Sequence, residues 1–226
     1  MKKTFYTELA YLVGLTTLAL GVALTEYADF GLSMVVAPAY LIHLKISQYF
    51  SWFTFGMAEY CLQALLIIIL SITMMRCKIK YLFSFVTAFI YGNILDVIMK
   101  IIGLVPESIM SLRIIFYILG ITVSALGVSF IFHTYITPEA YELVVKEIAE
   151  KTNKNIHVVK TIYDCSSCLI AITMSFVFFG FGVFEGIKFG TFFCALINGW
   201  LIGRCSKLLE KKFEFKDALS IKEKFE

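Results

Sequence analysis

The stretch GLTTLALGV at residues 14–22 returns as GITVSALGV at residues 120–128, and this near repetition decides how the chain is interpreted. In each copy two glycines stand seven residues apart, which places them on one face of a helix. Small residues on one face let membrane helices approach closely, so the first expectation is tight helix packing. The glycines concerned are Gly14, Gly21, Gly120 and Gly127.

The composition is that of a membrane protein. Hydrophobic residues make up 59% of the 226-residue chain, charged residues only 16%, and the mean hydropathy is +0.83. Soluble domains carry roughly 45–50% apolar and about 25% charged residues, so too little charge is present to cover a water-facing surface. The apolar runs are continuous, whereas a transmembrane barrel needs alternating segments of about 10 residues. The predicted fold class is an all-α membrane protein, and the net charge of +3 indicates no nucleic-acid partner.

Six apolar runs are long enough to cross a bilayer as helices, which takes about 20 residues. They are predicted at residues 6–25, 49–74, 81–102, 112–132, 157–180 and 184–207. The first run continues to Leu24 without a small-residue cleavage site, so we expect a retained span. Each half also has a shorter segment: residues 30–46, interrupted by Gly31 and Pro38, and residues 138–152. The second is amphipathic and is predicted to be a helix at the membrane surface or packed in the bundle.

Basic residues are distributed unevenly between the loops. With the N-terminus placed in the cytoplasm, sixteen of the 20 Lys and Arg residues fall in cytoplasmic segments. The four on the other side are Lys45, Lys100, Arg113 and Lys188. Positive residues accumulate on the cytoplasmic side of membrane proteins. The sequence thus predicts six spans in the cell membrane, with both termini in the cytoplasm.

Both halves of the chain have the same order of features. Each begins with a span that carries the glycine phrase, continues with a proline-bearing short helix (Pro38 or Pro138), and ends with two more spans. The last spans match loosely, as IKYLFSFVTAFIYGNILDVIMK at 79–100 and IKFGTFFCALINGWLIGRCSK at 187–207. Since three crossings is an odd number, two such repeats must be inverted relative to each other, as in many secondary transporters. The predicted units are residues 1–105, residues 106–208 and a cytoplasmic extension, residues 209–226.

Four longer stretches point to a family. They are GVALTEYADFGLS at 21–33, FIYGNILDVI at 89–98, PEAYELVVKEIAEKTNKNIHVVKTIYDCS at 138–166 and EGIKFGTFFCALINGWLIG at 185–203. In this order they resemble the YczE/YyaS/YitT family of bacterial membrane proteins, over nearly the whole chain. That family is described mainly as membrane proteins of unsettled function. The resemblance therefore implies a membrane topology much more than an activity.

Ionisable side chains inside apolar spans are the main functional candidates, because inserting one costs about 2.5–3.5 kcal/mol. Glu59 in the second span and Asp164 in the fifth occupy equivalent positions of the two halves, and Gln63 follows Glu59 by one helical turn. One interpretation is a proton- or cation-binding pair along a central path, since burial shifts a carboxyl towards proton exchange near neutral pH. The alternative is a structural carboxyl that is hydrogen-bonded to a neighbouring Tyr, Ser or backbone group.

Three more polar residues lie in apolar spans. Asn93 and Asp96 are three residues apart on the third span and share a face, and Asn198 is the rough counterpart of Asn93 in the sixth. They either line a path near the midplane or form interhelical hydrogen bonds worth about 1 kcal/mol each. The predicted substrate- or ion-binding set is Glu59, Asp164, Asp96, Gln63, Asn93 and Asn198.

Three functions stay open from the sequence. The leading one is a carrier, not an enzyme, that moves a small molecule or ion by alternating access and needs no cofactor. The second is an accessory or scaffold membrane protein whose polar groups only fasten helices. The third is a membrane thiol oxidoreductase that uses Cys165 and Cys168, spaced as C-x-x-C. His43 and His133 lack the spacing of metal ligands, so no metal site is predicted. The expected partners are the substrate and membrane lipid, and a homodimer is left open.

Overall fold

The computed structural model describes residues 2–75, 78–106 and 109–218, and helices dominate them. The helices are α1 (Thr7–Ala28), α2 (Ala37–Ser47), α3 (Phe55–Met74), α4 (Ile79–Ile102), α5 (Met110–Phe132), α6 (Ala140–Thr152), α7 (Ile156–Phe179) and α8 (Phe189–Lys212). All except α2 and α6 are long and apolar enough to cross a membrane. The chain is therefore a multi-pass membrane protein, and the prediction of six apolar spanning helices is confirmed.

The helix boundaries differ from the predicted ones where the chain turns. The second span starts at Phe55 instead of residue 49, because Thr54 caps it with a hydroxyl that accepts a hydrogen bond from the Met57 N–H at 3.2 Å. Helix α2 starts at Ala37 instead of residue 30, after Gly31 with a φ of 103°, a conformation that glycine adopts without strain. Local backbone chemistry thus shortens both apolar runs.

The all-α membrane fold is confirmed, and a small parallel sheet that was not predicted is added to it. The strands β1 (Lys3–Tyr6) and β2 (Phe213–Lys216) pair along their whole length. Helix α8 runs to Lys212, so the predicted extension from residue 209 begins inside a helix and continues as a strand, while residues 219–226 lie outside the described part of the chain. The sheet brings both ends of the chain to one end of the bundle, which we call the terminal face. The other end is the opposite face.

Helices α1 and α5 cross at the centre of the bundle, and the glycines of the repeated phrase make the contact. Gly14 lies against Gly127, and a Cβ atom added to Gly127 would lie 2.8 Å from the Gly14 carbonyl oxygen. Gly21 lies against Gly120, and a Cβ atom added to Gly120 would lie 2.9 Å from the Gly21 carbonyl oxygen. Both distances fall below the 3.0 Å that real Cβ contacts keep, so no larger residue fits without a shift. The predicted tight packing at these glycines is confirmed.

Helix α6 begins in the middle of the bundle and ends at the terminal face. At its start the Ala140 N–H donates a hydrogen bond of 2.9 Å to Gln63, which lies in the middle of α3. At its end Glu147 pairs with Lys78, which directly precedes α4, at 3.0 Å. The helix is therefore packed within the bundle, one of the two placements expected for residues 138–152.

Helix α2 has the corresponding placement towards the opposite face. The residues before it, Met34 and Val35, are buried in a cluster with Ile121 of α5. At its end the Lys45 ammonium group donates a hydrogen bond of 2.9 Å to the carbonyl oxygen of Phe178, one residue before α7 ends. Two short helices thus start near the centre and run to opposite faces.

Candidate functional site

A small cavity lies at the centre of the bundle, between α1, α5 and the starts of α2 and α6. Its volume is about 40 Å³, and a buried water needs roughly 10–15 Å³ on this measure, so about three waters fit. Its polar lining includes Thr25, Ser33, Ser124, Glu139, Glu142, Lys160 and Asn198. Both halves of the chain contribute to it, and the two carboxyls in its lining, Glu139 and Glu142, come from the start of α6.

The first two carboxyls of the site, Glu59 and Glu139, are joined by Gln63 and form what we call the glutamine-bridged pair. The Gln63 amide nitrogen donates to Glu139 Oε2 at 3.0 Å and to Glu59 Oε2 at 3.5 Å. The Tyr141 hydroxyl also donates to Glu59 Oε2, at 2.9 Å. All four side chains are buried, so these hydrogen bonds form away from water.

One oxygen of each carboxyl in this pair has no hydrogen-bond partner among the described residues: Glu59 Oε1 and Glu139 Oε1. Glu139 is only 2% exposed and lines the cavity. It occupies the N-cap position of α6, where the helix dipole favours negative charge, but its side chain forms no capping hydrogen bond. Burial, followed by the charges of Glu142 and Glu59, nevertheless raises the pKa of Glu139 well above its ordinary value. A buried carboxyl in this position either holds a proton or binds a cation.

The other two carboxyls, Glu142 and Asp164, share a buried lysine and form what we call the lysine-bridged pair. The Lys160 ammonium group lies 3.3 Å from Glu142 Oε1 and 3.2 Å from Asp164 Oδ1. Lys160 and Asp164 stand four residues apart on α7, which places them on one helix face. This pair therefore carries its own cation within the fold.

The structure brings four of the six predicted site residues to this centre. Glu59 and Gln63 belong to the glutamine-bridged pair, Asp164 belongs to the lysine-bridged pair, and Asn198 lines the cavity. Helices α3, α7 and α8 each supply at least one of them. Glu59 and Asp164, predicted as a pair, thus both belong to the carboxyl pairs at this centre.

The other two predicted residues lie elsewhere. Asp96 accepts a hydrogen bond of 2.6 Å from the Thr54 hydroxyl and one of 2.8 Å from the Gly56 N–H, which fastens the start of α3 to α4. Asn93 is exposed on α4 and donates to the Phe89 carbonyl oxygen of its own helix at 2.7 Å. Their contacts are those of structural groups.

Sequence reasoning missed Glu139, Glu142 and Lys160. The two glutamates belong to the amphipathic helix predicted at residues 138–152, for which only apolar positions were considered, and Lys160 was assigned to the basic residues of a cytoplasmic segment. Two signals could have found them. One is the presence of acidic residues at the start of a helix that is too short to span the membrane. The other is the spacing of Lys160 and Asp164, which lie four residues apart and so share a helix face.

The described cysteines and histidines form no group that could bind a metal and no disulfide, although Cys194 lines the central cavity. Cys165 and Cys168 are both free thiols, the first exposed and the second buried. Across residues 2–75, 78–106 and 109–218, no three His, Cys, Asp or Glu side chains are grouped so that they could hold a metal ion. Cys77 lies outside the described residues.

Comparison with known proteins gives a family but no activity. The chain belongs to DUF6198, a family of unknown function whose model matches residues 5–207. No curated protein and no solved structure matches the chain. The resemblance to the YczE/YyaS/YitT family stays a prediction, and any function has to be argued from the central site.

Proposed function

We propose that this member of the DUF6198 family is a carrier in the cell membrane that moves a small molecule or ion by alternating access. Transport is coupled to protons or cations, and both termini lie in the cytoplasm. The observation that supports this best is the central cavity, on which the starts of α2 and α6 converge and into which Glu139 places a buried carboxyl. Short helices that begin at the bilayer midplane around a polar site are typical of secondary transporters.

The glycine contacts support an inverted repeat. Adding the sequence offset of 106 residues to Gly14 gives Gly120, and adding it to Gly21 gives Gly127. Exchanging the two halves therefore turns the contact between Gly14 and Gly127 into the contact between Gly120 and Gly21, which is the other contact observed. A two-fold axis in the membrane plane between α1 and α5 produces this exchange.

The packing of the remaining helices agrees with the same axis. Helix α1 packs against α4, and its counterpart α5 packs against α8. Helix α2 packs against α3 and α7, and its counterpart α6 packs against α7 and α3. These contacts of one half thus have counterparts in the other, and two such halves can rock against each other around a central site.

Access to the site differs between the two faces, as alternating access requires. A cavity of about 810 Å³ lies at the terminal face and reaches Thr137 and Pro138, directly before Glu139. At the opposite face Asp29 forms ion pairs with Arg113, at 2.9 Å, and with Lys188. These pairs join the end of α1 to α5 and to the segment before α8. A cavity thus approaches the site from the terminal face, whereas at the opposite face these ion pairs join the helix ends, and this difference supports alternating access.

A scaffold protein is the second candidate, and two observations favour it. Tyr141 and Gln63 already occupy one oxygen of Glu59, and Thr54 and Gly56 occupy both oxygens of Asp96. In a scaffold these hydrogen bonds would only hold the helices together.

Flux measurements in proteoliposomes separate the two candidates. Vesicles with purified full-length protein and an internal pH dye would receive gradients of Na⁺, K⁺ or ammonium. A carrier with a carboxyl-based site exchanges protons for one of these cations, and Glu59→Gln or Glu139→Gln removes that exchange. Asn93→Ala, at an exposed position, serves as the matched control and keeps it. If the wild type moves neither protons nor cations, and both glutamine variants unfold like the wild type, a scaffold is favoured.

A further inference from the structure

We infer that the glutamine-bridged pair, Glu59 and Glu139, is a binding site for one small monovalent cation. The inference rests on the proposed function for what the bound cation does, but its binding can be measured without transport. It assigns the two carboxyl pairs of the centre different roles. The glutamine-bridged pair takes a ligand, and the lysine-bridged pair holds the structure.

The charge balance of the centre carries the first step. Four buried carboxyls belong to the two pairs, and among the described residues Lys160 forms its ion pairs with Glu142 and Asp164. A buried charge is costly unless an opposite charge neutralises it. The glutamine-bridged pair has a neutral amide where the other pair has an ammonium group, so a cation from outside, or protons, must supply its compensation.

The orientation of the Gln63 amide carries the second step. The Ala140 N–H can only donate, so the Gln63 oxygen must face it, at 2.9 Å. The amide nitrogen therefore points at the two carboxylates and occupies one oxygen of each. The remaining oxygens, Glu59 Oε1 and Glu139 Oε1, have no partner in the described part of the chain, and Glu139 faces the cavity. Buried carboxylate oxygens without a hydrogen-bond partner are suited to bind a cation.

The size of the cavity carries the third step. Sites for drug-sized ligands have volumes of about 300–1,000 Å³, whereas this cavity has about 40 Å³. It accommodates a bare monovalent cation with one or two waters, or an ammonium ion, on the scale of roughly 10–15 Å³ per water. A divalent ion such as Ca²⁺ seeks six to eight oxygen ligands, and Lys160 adds a repelling positive charge at the cavity wall. The site therefore favours a single positive charge.

Thermal unfolding of the purified full-length protein in detergent tests the inference. N-methyl-D-glucamine chloride would be replaced by NaCl, KCl or NH₄Cl at constant ionic strength. A ligand that binds only the folded state raises the Tm with its concentration. We expect one of the three cations to raise the Tm by several degrees in the wild type. Glu139→Gln and Glu59→Gln should each abolish this rise, and Asp96→Asn should keep it because Asp96 contacts Thr54 and Gly56 instead of the glutamine-bridged pair.

The same cation effect should grow as the pH rises, because protons compete for the carboxylates. The titratable groups around Glu139 are Glu59, Tyr91, Tyr141, Glu142, Lys160 and Cys194. Isothermal titration calorimetry with the cation that raises the Tm gives the affinity directly. If Glu139→Gln does not fold, Glu59→Gln tests the same pair from the other helix.

The outcomes distinguish a failure of the site from a failure of the carrier. A Tm that no monovalent cation changes, a rise that survives in both glutamine variants, or a rise with Ca²⁺ or Mg²⁺ alone would overturn the cation site. Cation binding without flux in vesicles would leave the site in place and remove the carrier. Flux that persists in Glu139→Gln, together with a Tm rise that survives in both glutamine variants, would keep the carrier and remove the site.

Discussion

The two ends of helix α6 hold buried glutamates in opposite charge environments. At its C-terminal end Glu147, which is 5% exposed, contacts two lysines, Lys78 and Lys80. At its N-terminal end Glu139 and Glu142 belong to a centre in which four carboxyls share one lysine. The negative charge of a buried glutamate is thus balanced by two lysines at the terminal face, whereas in the middle of the bundle one lysine stands against four carboxyls. The two lysines around Glu147 make that end a stabilising contact of the fold, whereas the shortage of positive charge around Glu139 suits the centre to a cationic ligand.

The ionisation of the two ends follows this difference. Burial alone would raise the pKa of Glu147, but Lys80 and Lys78 outweigh burial and lower it below its ordinary value. At Glu139 burial acts together with neighbouring carboxyls, and the pKa rises. Substitutions that remove one charge or one hydrogen-bonding group at a time test this difference at each end of the helix.

The largest effect is expected from Lys160→Met. It leaves Glu142 and Asp164 buried without a cation, and breaking a buried ion pair costs about 3–5 kcal/mol. Unfolding of the purified protein, followed by thermal or denaturant titration in detergent, measures the loss. Lys146→Met, at an exposed position of α6, is the matched control and should change little.

A triple variant completes this test. Adding Glu142→Gln and Asp164→Asn to Lys160→Met removes the uncompensated charges, so much of the lost stability should return. A Lys160→Met protein as stable as the wild type would show that the lysine-bridged pair is not structural.

A smaller loss is expected from Gln63→Leu. The side chain keeps a similar size but loses its hydrogen bonds to Glu59, Glu139 and the Ala140 N–H. Each buried polar group left without a partner costs about 1–3 kcal/mol, and protonation of the carboxyls offsets part of this. We expect a lower midpoint of unfolding by the same titration, with Asn93→Leu as control. An unchanged midpoint would mean that the amide does not bridge the pair.

At the terminal end of α6, Glu147 should make stability depend on pH at the acid side. Its folded-state pKa lies below the ordinary value of 4.5, so its contribution is present above that value and is lost as the pH falls through the folded pKa. With partly exposed lysine partners the contribution is about 1 kcal/mol or less. Tm values measured from neutral pH downwards should show a shallower acid decline for Glu147→Gln. Equal declines in both proteins would assign the acid sensitivity to other groups.

The sequence predicted the spans and part of the site because both stand out locally. Long apolar runs need no tertiary information, and ionisable groups such as Glu59 and Asp164 are conspicuous within them. The charges of α6 could not be assigned in this way. Burial of Glu142 depends on a lysine of another helix, and the amphipathic pattern of residues 138–152 fits both a helix at the membrane surface and one packed in the bundle.

The sheet between the chain ends was missed for a related reason. Strands β1 and β2 have four residues each and are separated by almost the whole chain, so their pairing has no local signal. What favours it is tertiary: the rings of Phe5, Phe213 and Phe215 pack together and against Phe130 of α5. Aromatic pairs of this kind contribute about 0.5–1.5 kcal/mol beyond their buried area.

The smallest effect is expected from Asp29→Asn at the opposite face. Asp29 pairs with Arg113 and Lys188, but its side chain is 61% exposed, and exposed ion pairs contribute about 0–1 kcal/mol. Asparagine tolerates the left-handed backbone that Asp29 adopts, with a φ of 56°, so the substitution removes charge without adding strain. We expect a Tm within a few degrees of the wild type and an unchanged response to the cation that the centre binds. A loss comparable to that of Lys160→Met would contradict this, because exposed charges at a face would then stabilise the fold as much as buried ones at the centre.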